Sequence, residues 1–92
     1  MIRISAQISI YPLRQPDLSS TIDEALRICR THGLEVQPGT MSTVVAGDDE
    51  QIFAALQDAM QSAAARGDVV LVATLSNACP VSRRADPTSA GD

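Results

Sequence analysis

Ile2-Arg3-Ile4-Ser5-Ala6-Gln7-Ile8-Ser9-Ile10 alternates without a break. Ile2, Ile4, Ala6, Ile8 and Ile10 fall on one side, and Arg3, Ser5, Gln7 and Ser9 on the other. A period of two over nine residues specifies a strand with one apolar and one polar face. Tyr11-Pro12 reads as its end, because proline cannot donate to a ladder.

Downstream the period changes. Over residues 17–32, Leu18, Ile22, Ala25, Leu26 and Cys29 recur at helical spacing. Thr21 and Glu24 fit a capping box, with Ser19 and Ser20 as competing caps. Gly33 supplies a left-handed residue at the helix end. Leu34 to Gln37 reads as a short strand, Pro38-Gly39 as a turn, and Thr40 to Ala46 as the returning strand around Thr43, Val44 and Val45. Gly47 closes that strand and Asp48 opens a second helix, with Asp49 and Glu50 where the helix dipole favours negative charge. Its stripe is Ile52, Leu56, Ala59, Met60 and Ala63, and Gly67 caps it. Val69 to Leu75 is an apolar, β-branched final strand.

The order is β-α-β-β-α-β. Two right-handed crossovers around a central hairpin specify an α+β, ferredoxin-like sandwich. The expected antiparallel sheet order is 4-1-3-2, with both helices on the Ile2/Ile4/Ile8/Ile10 face. Residues 1–80 form the expected domain. After Pro80 the composition turns to Ser, Arg, Asp, Pro, Thr and Gly, so 81–92 reads as a mobile tail.

Ninety-two residues allow one domain with a thin core, for which an oligomeric interface is a natural supplement. There are 7 arginines, no lysine and 11 acidic residues, for a net charge of −4. That balance repels phosphate backbones, so nucleic acid is not an expected partner. Tyr11 and Phe53 are the only aromatic residues. No run of about 18 apolar residues exists to span a membrane. No signal-peptide pattern opens the chain, and a cytoplasmic location is expected. Cys29 and Cys79 lack the spacing of a zinc site, and Cys29 reads as a small core residue. His32, beside Gly33, reads as a partner of the last helical carbonyls. No catalytic residues, metal or cofactor are expected.

The polar side of the first strand is then uncovered and carries Ser5, Gln7 and Ser9, with Tyr11 at its end. The third strand adds either Thr40 and Ser42 or Met41 and Thr43. The last strand adds either Thr74 and Ser76 or Ala73 and Leu75. A one-residue slip exchanges each set, and pattern does not choose between them. The last strand is apolar at both parities, and a partly apolar open face calls for a second subunit. A homodimer or homotetramer is expected, built through this face, an edge strand, or both. A carboxamide that donates and accepts suits the edge of an aminopyrimidine.

Three stretches resemble a known family: Gln7-Ile-Ser-Ile-Tyr-Pro-Leu13; Gly39-Thr-Met-Ser-Thr-Val-Val45 with Gly47-Asp-Asp-Glu-Gln-Ile-Phe53; and Val72-Ala-Thr-Leu-Ser-Asn-Ala-Cys-Pro80. In this order they resemble the YkoF-type thiamine/hydroxymethylpyrimidine-binding proteins and their short, single-domain, thiamine-binding ferredoxin-like relatives. The resemblance runs over about residues 3–80. It implies the same fold, an oligomer, no catalytic residues, and a pocket for thiamine or its pyrimidine precursor. Carried onto this chain, the pocket falls to Gln7, Ser9, Met41, Thr43, Thr74 and Ser76. Ala46 departs from the acidic residue common in the short relatives, and the segment after Ser76 lacks their charged ending.

The expected function is therefore non-catalytic binding of thiamine or hydroxymethylpyrimidine on the sheet face, at a subunit interface. Asp48 or Asp49 would sit near the thiazolium cation, with Tyr11 offering a cation–π contact. The alternative is an oligomeric structural or regulatory module whose open face serves assembly only. A cofactor-free enzyme of the dimeric α+β barrel kind ranks lowest, because His32 and Tyr11 stand at element ends.

Overall fold

The structure is a computed structural model that describes residues 2–39 and 42–78. The expected tail at 81–92, Cys79 and Met41 lie outside the described residues. The elements follow the expected order: β1 (Arg3–Leu13), α1 (Leu18–Thr31), β2 (Glu35–Pro38), β3 (Thr43–Asp48), α2 (Asp49–Ala64) and β4 (Asp68–Ser76). They form one antiparallel sheet in the order β2-β3-β1-β4, the ferredoxin-like α+β arrangement.

The alternation of β1 sets the two sides of the sheet. Ile4, Ala6 and Ile8 are buried and form one cluster with Val45 of β3, Cys29 of α1, Ile52 and Ala55 of α2, and Leu34. Residues directly opposite in an antiparallel pair share a face, so the printed register carries this parity across all four strands. Ala6 faces Val45, which faces Val36, and Ile8 faces Ala73. The helices cover this side; on the opposite side Gln7 is exposed, Ser9 half-buried and Ser5 buried.

Four local expectations change. β1 runs through Tyr11-Pro12 to Leu13. Among the described residues its pairing with β3 stops at Ile8, and from Ser9 onward β4 is its one described neighbour in the sheet. A missing N–H is tolerated where one flank of a strand is unpaired. The cap of α1 is Asp17, whose carboxylate accepts the Ser20 N–H at 3.1 Å. Thr21 lies inside the helix instead, and its buried hydroxyl donates to Gln15 Oε1 at 2.6 Å.

The buried stripe of α1 is Thr21, Ala25 and Cys29, and Leu18 is exposed. In α2 the buried residues are Ile52, Ala55, Ala59 and Ala63, with Met60 turned outward. Alanines at the contact let α2 approach the sheet closely, so its larger flanking side chains are not needed to fill the gap. Gly33 does adopt the left-handed conformation (φ 84°), and its N–H donates to Arg30 O at 3.0 Å.

Candidate functional site

The register resolves the parity that pattern left open. Gln7 faces Thr74 on one side and Val44 on the other, and Val44 faces Gln37. The open face thus carries a row Gln37–Val44–Gln7–Thr74. Beside it runs a second row, Glu35–Ala46–Ser5–Ser76. With strands about 4.8 Å apart, each row spans roughly 14 Å.

Gln7, Gln37 and Thr74 are exposed, and Ser76 is half-buried. Neither glutamine carboxamide is hydrogen-bonded within the described residues. Among the described residues, two unbonded carboxamides therefore flank Val44, and a hydroxyl lies beyond Gln7. Each amide offers two donors and two acceptor positions. The Ser76 hydroxyl accepts the Ala78 N–H at 2.9 Å, which orients it at the strand end.

Of the expected site residues, Gln7, Ser9, Thr74 and Ser76 share this face. Ser9 stands one step along β1, opposite Val72. Thr43 does not join them: it faces Ile8 on the helix-covered side. The parity of Val44 is continued by Ser42, just before β3. Sequence reading passed over Gln37 and Val44. The signal for both was the hairpin itself, because pairing β2 with β3 fixes their faces once its register is known.

Charge collects at one end of the face. Arg3 faces Asp48, and its guanidinium is 3.1 Å from Glu35 across the sheet. Asp49, the other expected counter-charge, is engaged: its Oδ1 accepts the Ile2 N–H at 3.2 Å. The opposite end is apolar. Tyr11 faces Val70 there, next to Ser9–Val72, and Leu13 lies beyond. Tyr11, Val70 and Val72 are each about half exposed.

His32 lies elsewhere, at the end of α1, with Nε2 2.7 Å from Asp58 of α2. Among the described residues no group of three His, Cys, Asp or Glu is placed to hold a metal ion. No helix of the described residues is long and apolar enough to cross a membrane.

A cleft of about 280 Å³ lies between the start of α1 and the end of α2, lined by Gln15, Pro16, Asp17, Ser20, Thr21 and Arg66. Its polar groups hold one another. Gln15 Nε2 donates to the carbonyls of Ala63 and Asp68, and Arg66 Nη1 donates to Ser20 Oγ at 2.8 Å. The cleft ties α1 to α2 and β4, on the helix side of the sheet.

A ferredoxin-like domain with one face under helices and the other crossed by rows of amides and hydroxyls is the class that this geometry defines. The chain belongs to the YKOF-related family, whose model matches residues 3–82. Its fold is shared by several solved structures. A hypothetical protein of Methanocaldococcus jannascii superposes with a TM-score of 0.79 at 22% identity, covering 99% of this chain and 96% of that one. A Streptococcus pneumoniae protein gives 0.77 at 17% identity, covering 99% and 100%. The "putative thiamine biosynthesis/salvage protein" of Thermotoga maritima gives 0.68 at 20% identity, covering 79% and 81%. A search of the curated proteins found no match.

Proposed function

We propose that the open face binds thiamine or its hydroxymethylpyrimidine moiety without chemical conversion, in a pocket closed by a second subunit. The observation that carries this reading is the row Gln37–Val44–Gln7–Thr74. An aminopyrimidine presents alternating donors and acceptors along its edge, and a carboxamide matches such a pair with its own N–H and C=O. Val44, half-buried between the two glutamines, gives the flat ring an apolar floor.

Membership in the YKOF-related family supports the reading, as does the likeness in fold to a protein named for thiamine biosynthesis or salvage. Charge supports it too. The chain carries −4 overall, and Glu35 and Asp48 stand on the same face, where a thiazolium cation would be tolerated. One side of a twisted sheet is a surface rather than a cavity, and ligand pockets bury most of their guest. A second subunit supplies the missing wall, and the exposed apolar end of the face gives it somewhere to rest.

Isothermal titration tests the proposal. Thiamine or hydroxymethylpyrimidine should release heat and saturate the protein. Gln7→Leu should weaken binding by about 10–100-fold, because it removes a hydrogen-bonding pair worth roughly 1–3 kcal/mol. Its far-ultraviolet circular dichroism should not change, because Gln7 is exposed. No heat with thiamine, hydroxymethylpyrimidine or their phosphates would reject the proposal. The assembly-only reading wins if side chains of a second subunit occupy the space above Val44.

A further inference from the structure

We infer that Gln7 reads the edge of a pyrimidine ring without fixing its polarity, so that the site takes 4-oxopyrimidines as readily as 4-aminopyrimidines. The inference rests on the binding reading above and names the ligand class of that same face.

What a glutamine discriminates depends on what holds its carboxamide. Gln15 and Gln51 are held. Gln15 Nε2 donates to Asp68 O at 2.8 Å and to Ala63 O at 3.3 Å, and its Oε1 accepts the Thr21 hydroxyl at 2.6 Å. Gln51 Oε1 accepts the Asp48 N–H at 2.9 Å. A Cβ added at Gly33 would come within 2.9 Å of Gln51 Nε2, so that end is enclosed as well. Turning over Gln15 would set oxygen against carbonyl oxygen, and turning over Gln51 would set N–H against N–H. Each has one polarity.

Gln7 is placed differently. It projects, exposed, from the interior strand β1, with Val44 opposite on one flank and Thr74 on the other. The Val44 side chain has no polar atom to hold it. Among the described residues, no hydrogen bond ties the Gln7 carboxamide or the Thr74 hydroxyl. The last torsion of a glutamine is broad and roughly twofold, so the amide turns over at little cost. A hydroxyl likewise rotates to donate or accept as its partner requires.

The two ligand forms differ in the same respect. At the edge of a 4-aminopyrimidine, the exocyclic N–H donates and the ring nitrogen beside it accepts. In the 4-oxo form, the exocyclic oxygen accepts and the ring N–H donates. A carboxamide makes two parallel hydrogen bonds with either form, in one orientation for the first and turned over for the second. Donor and acceptor trade places while the outline of the ring stays the same. A fixed polar group rejects the wrong partner because it is left unpaired. An amide that no described residue pins escapes that penalty. Replacement of the ring's amino group by oxygen, the outcome of hydrolytic deamination, would therefore leave the ring bound.

One edge defeats both orientations. Where the 4-substituent is methoxy, the ring presents two acceptors side by side, and the carboxamide satisfies only one of them. Affinity for that edge is the measure of whether the edge is read at all.

Isothermal titration with three probes tests the inference: hydroxymethylpyrimidine, its 4-oxo counterpart and its 4-methoxy counterpart. The first two should bind within about threefold of each other, and the third about tenfold or more weaker. In Gln7→Leu the three affinities should converge to within about threefold, because the group that reads the edge is gone. Circular dichroism confirms that the variant folds.

A preference of tenfold or more between the amino and oxo probes would mean that the carboxamide is pinned. That result would overturn the inference and leave the binding reading standing. So would a methoxy probe that binds as tightly as the other two, or a methoxy deficit that persists in Gln7→Leu. No heat with any of the three, or with thiamine, would reject the binding reading itself and this inference with it.

Discussion

Cys29 shows how burial sets the chemistry of one group. It is 2% exposed, in the core cluster beneath the sheet. Loss of solvent pushes its thiol above the ordinary value of 9.0, with Arg30 opposing weakly. The folded chain therefore holds this proton to higher pH than the unfolded chain does. Where the folded state binds more protons, stability falls as pH rises. The contribution of Cys29 should be constant up to about pH 8 and decline above pH 9. Urea unfolding of the native chain and of Cys29→Ala at pH 8 and pH 10 checks this. The native chain should lose more stability between the two pH values than the variant. An equal loss would assign the alkaline decline to other groups.

At the scale of elements, the start of α1 rests on one side chain. Asp17 accepts the Ser20 N–H, one of the four donors that a helix leaves without intrahelical partners. Asp17→Ala should lower stability by about 1 kcal/mol, read from the urea midpoint at constant slope. Asp17→Asn should recover most of it, because an amide oxygen also caps.

The elements themselves were legible in the sequence: two helical stripes, the strict alternation of β1 and the β-branched run of β4 gave their types and order. Their ends were less so. Asp17, Ser19, Ser20 and Thr21 all offer a hydroxyl or carboxylate within five residues of chain, and spacing alone does not rank them; tertiary position does. Thr21 is drawn inward to Gln15, which spans to the ends of α2 and β4. Pro12 continues β1 where, among the described residues, β4 is the only strand paired with it. No local pattern carries that information.

For the whole molecule, the candidate site was half legible. Gln7 and Ser9 follow from alternation within β1, and Thr74 and Ser76 from their pairing with it. Thr43 and Gln37 depend on the register of the β2–β3 hairpin, and register is a property of two strands. The open face itself followed from the element order, since two crossovers of the same hand leave one side bare.

The unequal lengths of the strands have a separate consequence. Among the described residues, β1 has a neighbour on both flanks over Ser5–Ile8 and on one flank from Ser9 to Leu13, where it pairs as a ribbon with Asp68–Val72. An isolated pair of strands is only marginally stable in water. Deuterium uptake should therefore divide β1 in two, with the amides of residues 5–8 protected to near the free energy of global unfolding. Those of 9–13 and 68–72 should open in smaller local steps and exchange sooner. Mass spectrometry of peptides from each half reads the difference. Uniform protection along β1 would mean that the projecting ribbon is held by something outside the chain. The tip that carries Tyr11 is thus the part of this sheet best able to fray and re-form while the core beneath it stays shut.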